Sequence, residues 1–386
     1  IHMNGIDMRS GDAPADPTVD VPPVYHMPEE VDKDDCHSPN STACYSTIFF
    51  TQKTIEVIER FQKTTLDENE RLFLYVAYQA THNPLASPDI YRRPYDDKIS
   101  DYPRRLFAGM AAALDEGVRN ITLALKKSGL WDETVLIFST DNGGEPSQIG
   151  RGNNYPLRGG KVTNWEGGVR GVAFIRGTND PTFAPLPKNE TRMNLMHITD
   201  WFPTLYGLAK SGEKQQYISV NENTLDELDV DGVDQWQAIA GKKPSPRKII
   251  WHNIQPDEDF NPRLPSDAIR VGDWKLFART HSSAGVVPPP GFKNNHTTNP
   301  RPYKRSYFLF HIPTDPTETN NLATSHPKKL AEMLGIYRQQ QHKVRADLNI
   351  KWAWSDPAAN PALRLDKGWG PFNGTHSTCA YNKEYD

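Results

Sequence analysis

Long apolar runs, basic stretches and cysteines are all scarce in this sequence of 386 residues. The longest apolar run, Leu72–Tyr78, has the length of a strand and falls well short of the ~18 residues that a membrane-spanning helix needs. Lys and Arg number 44 against 48 Asp and Glu, which gives a formal net charge of −4 with the two signs interspersed. The sequence therefore predicts no membrane span, and its charge argues against nucleic acid as a partner.

The three cysteines, Cys36, Cys44 and Cys379, are an odd number and cannot all pair with one another. Cys36 and Cys44 lie eight positions apart across a turn-rich stretch that could close a small disulfide loop. Cys379 would then be left over. In an oxidising compartment it would pair outside the chain, whereas in the simpler alternative it is a free, half-buried thiol.

Sequons for N-glycosylation occur five times without a central proline, at Asn40, Asn120, Asn189, Asn295 and Asn373. One sequon arises easily by chance, but five favour a glycoprotein of the secretory pathway, either lysosomal or extracellular. Asn120 falls in a helix-like stretch, so we expect its side chain to face solvent. The first residues, Ile1–Gly5, lack the pattern of a signal peptide, and we expect the sequence to be an interior part of a longer polypeptide.

Helix-like and strand-like patterns alternate through the first part of the chain. Apolar residues at helical spacing predict helices over Phe50–Gln62, Leu106–Ser128 and His197–Ala209. We expect Gly129 to cap the end of the second helix and His197 to cap or pack at the start of the third. Continuous apolar runs predict buried strands over Arg71–Gln79, Thr134–Ser139 and Gly168–Ile175. This alternation indicates an α/β domain with a parallel sheet.

The pattern changes near residue 245. Short strands are predicted at Lys248–His252, Ala268–Ala278 and Ser306–His311, followed by a helix over Pro327–Val344. Strands followed by one helix fit a small α+β domain. The sequence therefore predicts two domains, residues 1–245 and 246–386.

The strongest local signal for a site is the turn after the predicted strand Thr134–Ser139. Asp141 and Asn142 follow that strand and precede Gly143 and Gly144. Ligands of open α/β sheets bind beyond the carboxyl ends of strands, and carboxylate and amide oxygens suit Ca²⁺ or Mg²⁺. An Asx turn that caps a strand has the same sequence, so the spacing alone leaves both interpretations open.

Two further segments carry residues suited to an anion. The glycine-rich stretch Leu157–Gly171 contains Lys161, which could reach a sulfate or phosphate oxygen, although this stretch taken alone fits a solvated basic loop better. His82 follows the predicted strand Arg71–Gln79, where a histidine can serve as an acid, an anion contact, a metal ligand or a cap. Because all three signals follow predicted parallel strands, we expect one site for a tetrahedral oxyanion ester. No nucleophile in a glycine-flanked elbow accompanies it.

Several long phrases of the sequence resemble animal sulfatases of the arylsulfatase B (N-acetylgalactosamine-4-sulfatase) type. They include LFLYVAYQATHNPL at 72–85, ALDEGVRNITLALKKSGLWDETVLIFSTDNGG at 113–144 and NNYPLRGGKVTNWEGGVRGVAFIRG at 153–177. AIRVGDWKLF at 268–277 and YFLFHIPTDPTETNNLA at 307–323 continue the resemblance. It implies an alkaline-phosphatase-like α/β fold with a mostly parallel central sheet, followed by a small C-terminal α+β domain with an antiparallel sheet.

The resemblance also implies roles for single residues. Asp141 and Asn142 match the family's downstream pair of calcium ligands, so Ca²⁺ is the implied cofactor. His82 matches the histidine that contacts the sulfate, and Lys161 matches the lysine that holds a sulfate oxygen.

Other parts of the family's site have no counterpart here. The family's nucleophile is a formylglycine made from the cysteine of a Cys-X-Pro-Ser-Arg motif, which lies upstream of this sequence. Cys36 and Cys44 resemble a local disulfide, and Cys379 resembles a cysteine bonded to the upstream segment. The implied function is removal of sulfate from a sulfated sugar or aryl ester, competent only with that N-terminal segment. The alternative is a non-catalytic, sulfatase-like binding or structural glycoprotein.

Overall fold

The computed structural model describes residues 45–64, 70–147, 149–179, 184–212, 230–255, 266–279 and 307–343. Several predicted features lie outside the described residues, namely the Cys36–Cys44 disulfide, Cys379 and the sequons at Asn40, Asn295 and Asn373. The division into two domains at residue 245 stays a prediction.

The described helices include all three that the first part of the sequence predicts and the one near its end. Their bounds are α1 Ser46–Thr64, α2 Asp89–Arg92, α3 Tyr102–Lys127, α4 Glu166–Val169, α5 Trp201–Gly212, α6 Trp236–Ile239 and α7 Pro327–Gln341. The strands are β1 Leu136–Ser139, β2 Ala173–Arg176, β3 Ile249–Asn253, β4 Asp267–Val271, β5 Trp274–Arg279 and β6 Phe308–His311. Within these ranges no helix combines the length and apolar character needed to cross a membrane.

Helix α1 packs against α3 through small and aliphatic side chains. Ile58 of α1 is only 1% exposed and packs against Ala124 of α3. Gly117 lets the two helices approach closely, because a Cβ atom there would lie 2.7 Å from the Thr51 hydroxyl oxygen. The predicted glycine cap of α3 is confirmed, since Gly129 follows the helix with φ 75°, a left-handed value that glycine adopts without strain.

Strands β1 and β2 pair with each other in the antiparallel direction. Leu136 lies opposite Arg176, and Ser139 lies opposite Ala173. The expectation of parallel strands is therefore wrong for this pair. β2 also begins later than predicted, because residues Glu166–Val169 form the short helix α4 instead. The apolar runs indicated which residues form strands but carried no information on their relative direction.

Residues 71–79 do not form the predicted buried strand. They form no regular secondary structure and pair with no strand among the described residues. Phe73 and Tyr75 are 76% and 75% exposed. The run has the composition of a buried strand, but the described residues provide no neighbouring strand, and only its end is covered, where Tyr78 bonds to Thr51 of α1 over 2.7 Å.

Strands β3 to β6 form one antiparallel sheet in the order β3-β4-β5-β6. This confirms the antiparallel sheet expected in the C-terminal part. The predicted strand Ala268–Ala278 is in fact the hairpin of β4 and β5, because the chain reverses at Gly272. Gly272 has φ 53°, again a left-handed value. A single glycine within an apolar segment is the sequence signal that could have indicated this turn.

The two faces of this sheet have different neighbours. One face packs against α7 through fully buried aliphatic side chains, Ile269, Leu276 and Leu309. On the other face, Phe277 and Phe310 contact the ring of Trp165, at centroid distances of 4.2 and 5.8 Å. Because Trp165 immediately precedes α4, this second face supports the glycine-rich segment that carries Lys161.

Candidate active site

His82 and Lys161 meet directly. The Nε2 atom of His82 lies 2.8 Å from the Nζ atom of Lys161, and both residues are half-buried. The Nδ1 atom of His82 lies 2.6 Å from the carbonyl oxygen of Asn83. Since a carbonyl oxygen can only accept, Nδ1 carries the proton and Nε2 accepts from the Lys161 ammonium. The structure thus fixes one tautomer of His82 and holds a cation against it.

The backbone near Lys161 is joined to the turn that contains Asp141. The backbone nitrogen of Lys161 donates to the carbonyl oxygen of Gly144 over 3.1 Å. The side chain of Asn154 strengthens this junction, because it accepts from the Gly144 nitrogen and donates to the Gly144 oxygen, both over 2.8 Å. Two segments that the sequence separates by a long loop are thereby held side by side.

Antiparallel pairing explains why these segments meet. The residues after β1 and the residues before β2 lie at the same end of the pair. Thr140 extends the pairing beyond β1, as its backbone nitrogen donates to Val172 over 2.9 Å. The expected convergence of Lys161 with the turn therefore occurs, but Lys161 precedes its strand and does not follow one.

Asp141 and Asn142 lie in the bend that follows β1, where each side chain bonds to the backbone of the next residue. The Asn142 backbone nitrogen donates to the Asp141 carboxylate over 2.9 Å, and the Asn142 amide nitrogen donates to Gly143 over 2.8 Å. Asp141 is exposed and Asn142 is half-buried. The amide nitrogen of Asn142 is engaged by the backbone, so its oxygen is the atom that would reach a metal.

The residues of this turn fit part of a shell for a hard cation. One carboxylate and one amide oxygen are the ligand types that Ca²⁺ prefers, but Ca²⁺ takes about six to eight oxygens. Across the described residues, no group of three or more His, Cys, Asp or Glu side chains could hold a metal. Asp141 and Asn142 could therefore contribute two of the ligands of such a cation.

The turn rests on helix α4 through backbone atoms. The Gly143 nitrogen donates to the carbonyl oxygen of Gly168 over 2.9 Å. A Cβ atom at Gly143 would lie only 1.7 Å from the carbonyl oxygen of Gly167, a separation that no real Cβ atom tolerates. Glycine at position 143 is therefore required by contact with backbone, and the DNGG turn and the WEGG helix form one unit.

An ionic cluster between α4 and the C-terminal sheet was missed by the sequence analysis. Lys275 of β5 is fully buried, and its Nζ atom lies 2.9 Å from carboxylate oxygens of both Glu166 and Glu318. Burial raises the pKa of Glu318, against the opposing effect of the Lys275 ammonium. The sequence signal was a lysine inside the apolar strand WKLFAR, at a position that shares a face with Phe277.

Two other histidines have structural surroundings. His197 caps the helical turn before α5, as its side chain accepts from the Thr199 nitrogen, which confirms the capping or packing role expected for it. His252 lies on β3 and is half-buried as a residue, but its Nε2 atom is fully buried and finds no hydrogen-bond partner among the described residues. Burial and then the charges of Lys275 and Arg270 hold the pKa of His252 well below its usual value.

Comparisons with known proteins agree on one family. The sequence pattern of the sulfatase family matches residues 23–211. The chain is 36% identical over 351 residues to arylsulfatase J of Mus musculus, an alignment that covers 85% of this chain and 53% of that protein. It is 28% identical over 318 residues to arylsulfatase A of Homo sapiens, with 77% and 54% covered.

Solved structures give the same fold. The crystal structure of Ps i-CgsB in complex with k-i-k-neocarrahexaose matches with a TM-score of 0.58 and 23% identity, over 78% of this chain and 56% of that one. The PsFucS1 sulfatase from Pseudoalteromonas sp. matches with a TM-score of 0.52 and 19% identity, over 80% and 56%.

These likenesses confirm the predicted fold class, an alkaline-phosphatase-like sulfatase fold with an antiparallel C-terminal sheet. The chain spans about half the length of the curated relatives it matches. On the sequence pattern and the arylsulfatase relatives together, the chain belongs to the sulfatase family.

Proposed function

We propose that this chain is part of a sulfuric ester hydrolase of the arylsulfatase B-like type, which removes sulfate from a sulfated sugar or an aryl sulfate. The observation that carries the proposal is the contact of His82 with Lys161 over 2.8 Å, beside the turn that holds Asp141 and Asn142. These are the positions at which the sequence resembles the sulfate-binding and calcium-binding residues of sulfatases. A sulfatase-like protein that had lost catalysis and kept only binding would have no physical reason to retain these four residues together.

The chemistry assigned to the chain's own residues is electrostatic. The Lys161 ammonium offers three N–H donors and a full positive charge to the sulfate oxygens. Charge that develops on those oxygens in the transition state is stabilised where donors are already in place. His82, held by its Nδ1–H bond to Asn83, accepts from Lys161 through Nε2 and so orients the ammonium toward those oxygens. Asp141 and Asn142 would hold Ca²⁺, which supplies further positive charge when bound.

The proposed enzyme is competent only with an N-terminal segment that carries the formylglycine nucleophile. The apolar side chains at the surface support a covering segment, since exposed strand edges and apolar patches favour association. They include Phe73, Tyr75, Val172 and Phe174. We propose that this segment comes from the same precursor and is disulfide-linked through Cys379.

Location and glycosylation belong to the same proposal. A lysosomal or extracellular glycoprotein would carry its sugars on exposed loops, and Asn189 lies on one. Asn120 instead lies on α3 and is only half-exposed, so it is the weaker acceptor of the two. The oxidising compartment implied by the sequons would permit the bond from Cys379.

The test uses the intact protein that contains this chain and its N-terminal segment, with 4-nitrophenyl sulfate as the probe. Lys161→Ala should lower kcat/KM by about 100-fold or more, because removing one oxyanion donor has effects of that order. The matched control is Lys242→Ala, at an exposed lysine, which should leave the rate unchanged. Residues 1–386 alone should show no turnover.

Three results would each contradict a different part of the proposal. Turnover by the isolated chain would remove the need for a second segment. An intact protein that binds sulfated sugars without hydrolysing any sulfate ester would favour the non-catalytic alternative. A single uncut polypeptide on a reducing gel would overturn the disulfide-linked arrangement while leaving the proposed reaction intact.

A further inference from the structure

A lysine occupies the middle of an otherwise apolar sheet face. Side chains alternate along β5, so that Leu276 faces α7 while Lys275 and Phe277 face Trp165. Lys275 is 0% exposed, lies between the carboxylates of Glu166 and Glu318, and has its Nζ atom 5.3 Å from the Phe277 ring centroid. Its ion pairs are thus fully removed from water.

Stability alone does not account for this arrangement. Moving charges out of water is costly, and well-packed apolar residues often replace a buried ion pair without loss of stability. What an ionic cluster adds is direction, because each charge must meet its partner with defined geometry. The role of the cluster therefore depends on which segment of the chain its charges orient.

The cluster reaches the main chain of helix α4. One carboxylate oxygen of Glu318 accepts from the backbone nitrogen of Glu166 over 2.6 Å, at the first residue of α4. Arg158 donates to the Glu318 carbonyl oxygen over 3.1 Å and stacks on Trp165 with its guanidinium carbon 3.7 Å from the ring centroid. Side chain and backbone of Glu166 are thereby fixed to the C-terminal sheet.

Helix α4 in turn fixes the candidate active site. Its Gly168 oxygen accepts from the Gly143 nitrogen, and its Gly167 oxygen leaves no space for a side chain at position 143. Gly144, the next residue, is bonded to the backbone of Lys161. A continuous set of contacts therefore leads from Lys275 through α4 to both the Asp141–Gly144 turn and Lys161.

We propose that Lys275, through Glu166 and Glu318, is a positioning residue that holds the Asp141–Gly144 turn and Lys161 in register. The expected effect of Lys275 on catalysis rests on the proposed function, whereas its expected effect on the order of the Asp141–Gly144 turn does not. Lys275 touches neither the substrate nor the reacting atoms in this proposal. It acts by keeping α4 seated, so that ligand oxygens and the Lys161 ammonium stay in one geometry.

The test compares Lys275→Met with Arg247→Met in the intact protein. Both variants remove the cation of a buried ion pair, but Arg247 pairs with Asp200 and makes no described contact with α4 or the turn. The first readout is hydrogen exchange of the Gly143 amide, whose partner is Gly168. Under native conditions Lys275→Met should speed this exchange at least tenfold more than that of the buried amides of α3, whereas Arg247→Met, which destabilises the fold as a whole, should speed it no more than theirs.

The second readout is kinetic. In Lys275→Met, kcat for 4-nitrophenyl sulfate should fall by tenfold or more with KM changed less than threefold, and more Ca²⁺ should be needed for half-maximal rate. Lys275→Arg should recover part of the rate. Unchanged Gly143 exchange in Lys275→Met overturns the inference whatever the activity. Faster exchange in a protein whose wild type hydrolyses no sulfate ester supports the positioning role and contradicts the proposed function instead.

Should Lys275→Met not fold, Glu166→Gln is the second variant. It keeps the lysine, Glu318 and the backbone bond at position 166, and it weakens only the ion pair that ties the side chain of residue 166 to Lys275. Hydrogen exchange of the Gly143 amide is then measured in this variant. If the amide exchanges as slowly as in wild type, the inference is wrong.

Discussion

The Nε2 atom of His82 lies 2.8 Å from the Nζ atom of Lys161, across 79 residues of sequence. Because Nδ1 donates to the Asn83 carbonyl, Nε2 is the ring atom that accepts from the Lys161 ammonium, and no carboxylate takes part in this contact. The contact satisfies one N–H of the ammonium without cancelling its charge. Such a cation remains able to attract an anion.

Inorganic sulfate should therefore stabilise the intact protein. A ligand present at ten times its Kd raises the free energy of unfolding by about 1.4 kcal/mol if it binds only the folded state. Lys161→Met should abolish the sulfate-dependent rise in Tm, while Lys242→Met should retain it. Measuring Tm at constant ionic strength, with chloride as the comparison salt, separates binding from screening. An equal rise in both variants would place the sulfate elsewhere.

Replacing Gly143 by alanine should destroy the site. The new Cβ atom would lie 1.7 Å from the Gly167 carbonyl oxygen, so either α4 or the turn must move. We expect a loss of about 2–4 kcal/mol in the free energy of unfolding, typical of overpacking against fixed atoms, and loss of catalysis. Denaturant unfolding and a rate assay check both.

Gly335→Ala is the matched control for that experiment. Gly335 lies in the middle of α7, and a Cβ atom there meets nothing within 4 Å. Alanine forms helix more readily than glycine, so this variant should be more stable by about 0.5–1 kcal/mol. A loss of stability at Gly335 would show that the space around α7 is occupied.

Removing Arg247 should strongly destabilise the fold. Burial alone would raise the pKa of Asp200, but hydrogen bonds from Arg247, His197, Val233 and Gln235 prevail and lower that pKa. Arg247→Met leaves the buried carboxylate without its cation, which costs about 3–5 kcal/mol. The exposed Arg338→Met should cost almost nothing. Urea unfolding at neutral pH measures the difference.

The sign of the pH dependence follows from the same pKa. Since the folded-state pKa of Asp200 lies below 3.8, its contribution to stability is complete above that pH and is lost as the pH falls further. The difference in the free energy of unfolding between wild type and Arg247→Met, which we call the gap, should therefore become smaller in strong acid. A gap that widens on acidification would contradict this assignment.

His252 should make the protein less stable in mild acid. Burial and the nearby cations hold its pKa well below 6.5, so the folded state keeps the ring neutral while the unfolded state takes up a proton. Stability is thus complete above about pH 6.5 and falls as the pH drops, by up to about 1.4 kcal/mol per pH unit. His252→Gln should flatten this slope between pH 7 and 5. Exposed His326→Gln should keep the wild-type slope.

Local patterns in the sequence predicted single elements well. The apolar stripe of α3, its glycine cap and the Asp-Asn turn after β1 all depend on neighbours within a few residues. The hairpin at Gly272 was read as one strand, Ala268–Ala278, because both its arms are apolar and the turn is short. The antiparallel direction of β2 relative to β1 could not be predicted, since an apolar run has the same composition in a parallel and in an antiparallel pair.

The ionic cluster was missed for a different reason. A lysine in a strand ordinarily points to solvent, and the partner Glu166 lies 109 residues away in the sequence. Only the fold reveals that Lys275 faces α4. The residues of the turn and Lys161 could be singled out from the sequence, whereas what holds them together could not.

The contact between Gly143 and Gly167 is made by main-chain atoms on both sides. The floor of the candidate site, formed by this contact, is therefore insensitive to the exposed side chains around it, as long as the buried Lys275, Glu166 and Glu318 that seat α4 are kept. Exposed residues on neighbouring segments, such as Val162 and Met193, can be randomised in a library without moving that floor. Selection for activity on other sulfate esters could then act on these exposed residues alone, while Gly143 and Gly167 are kept unchanged.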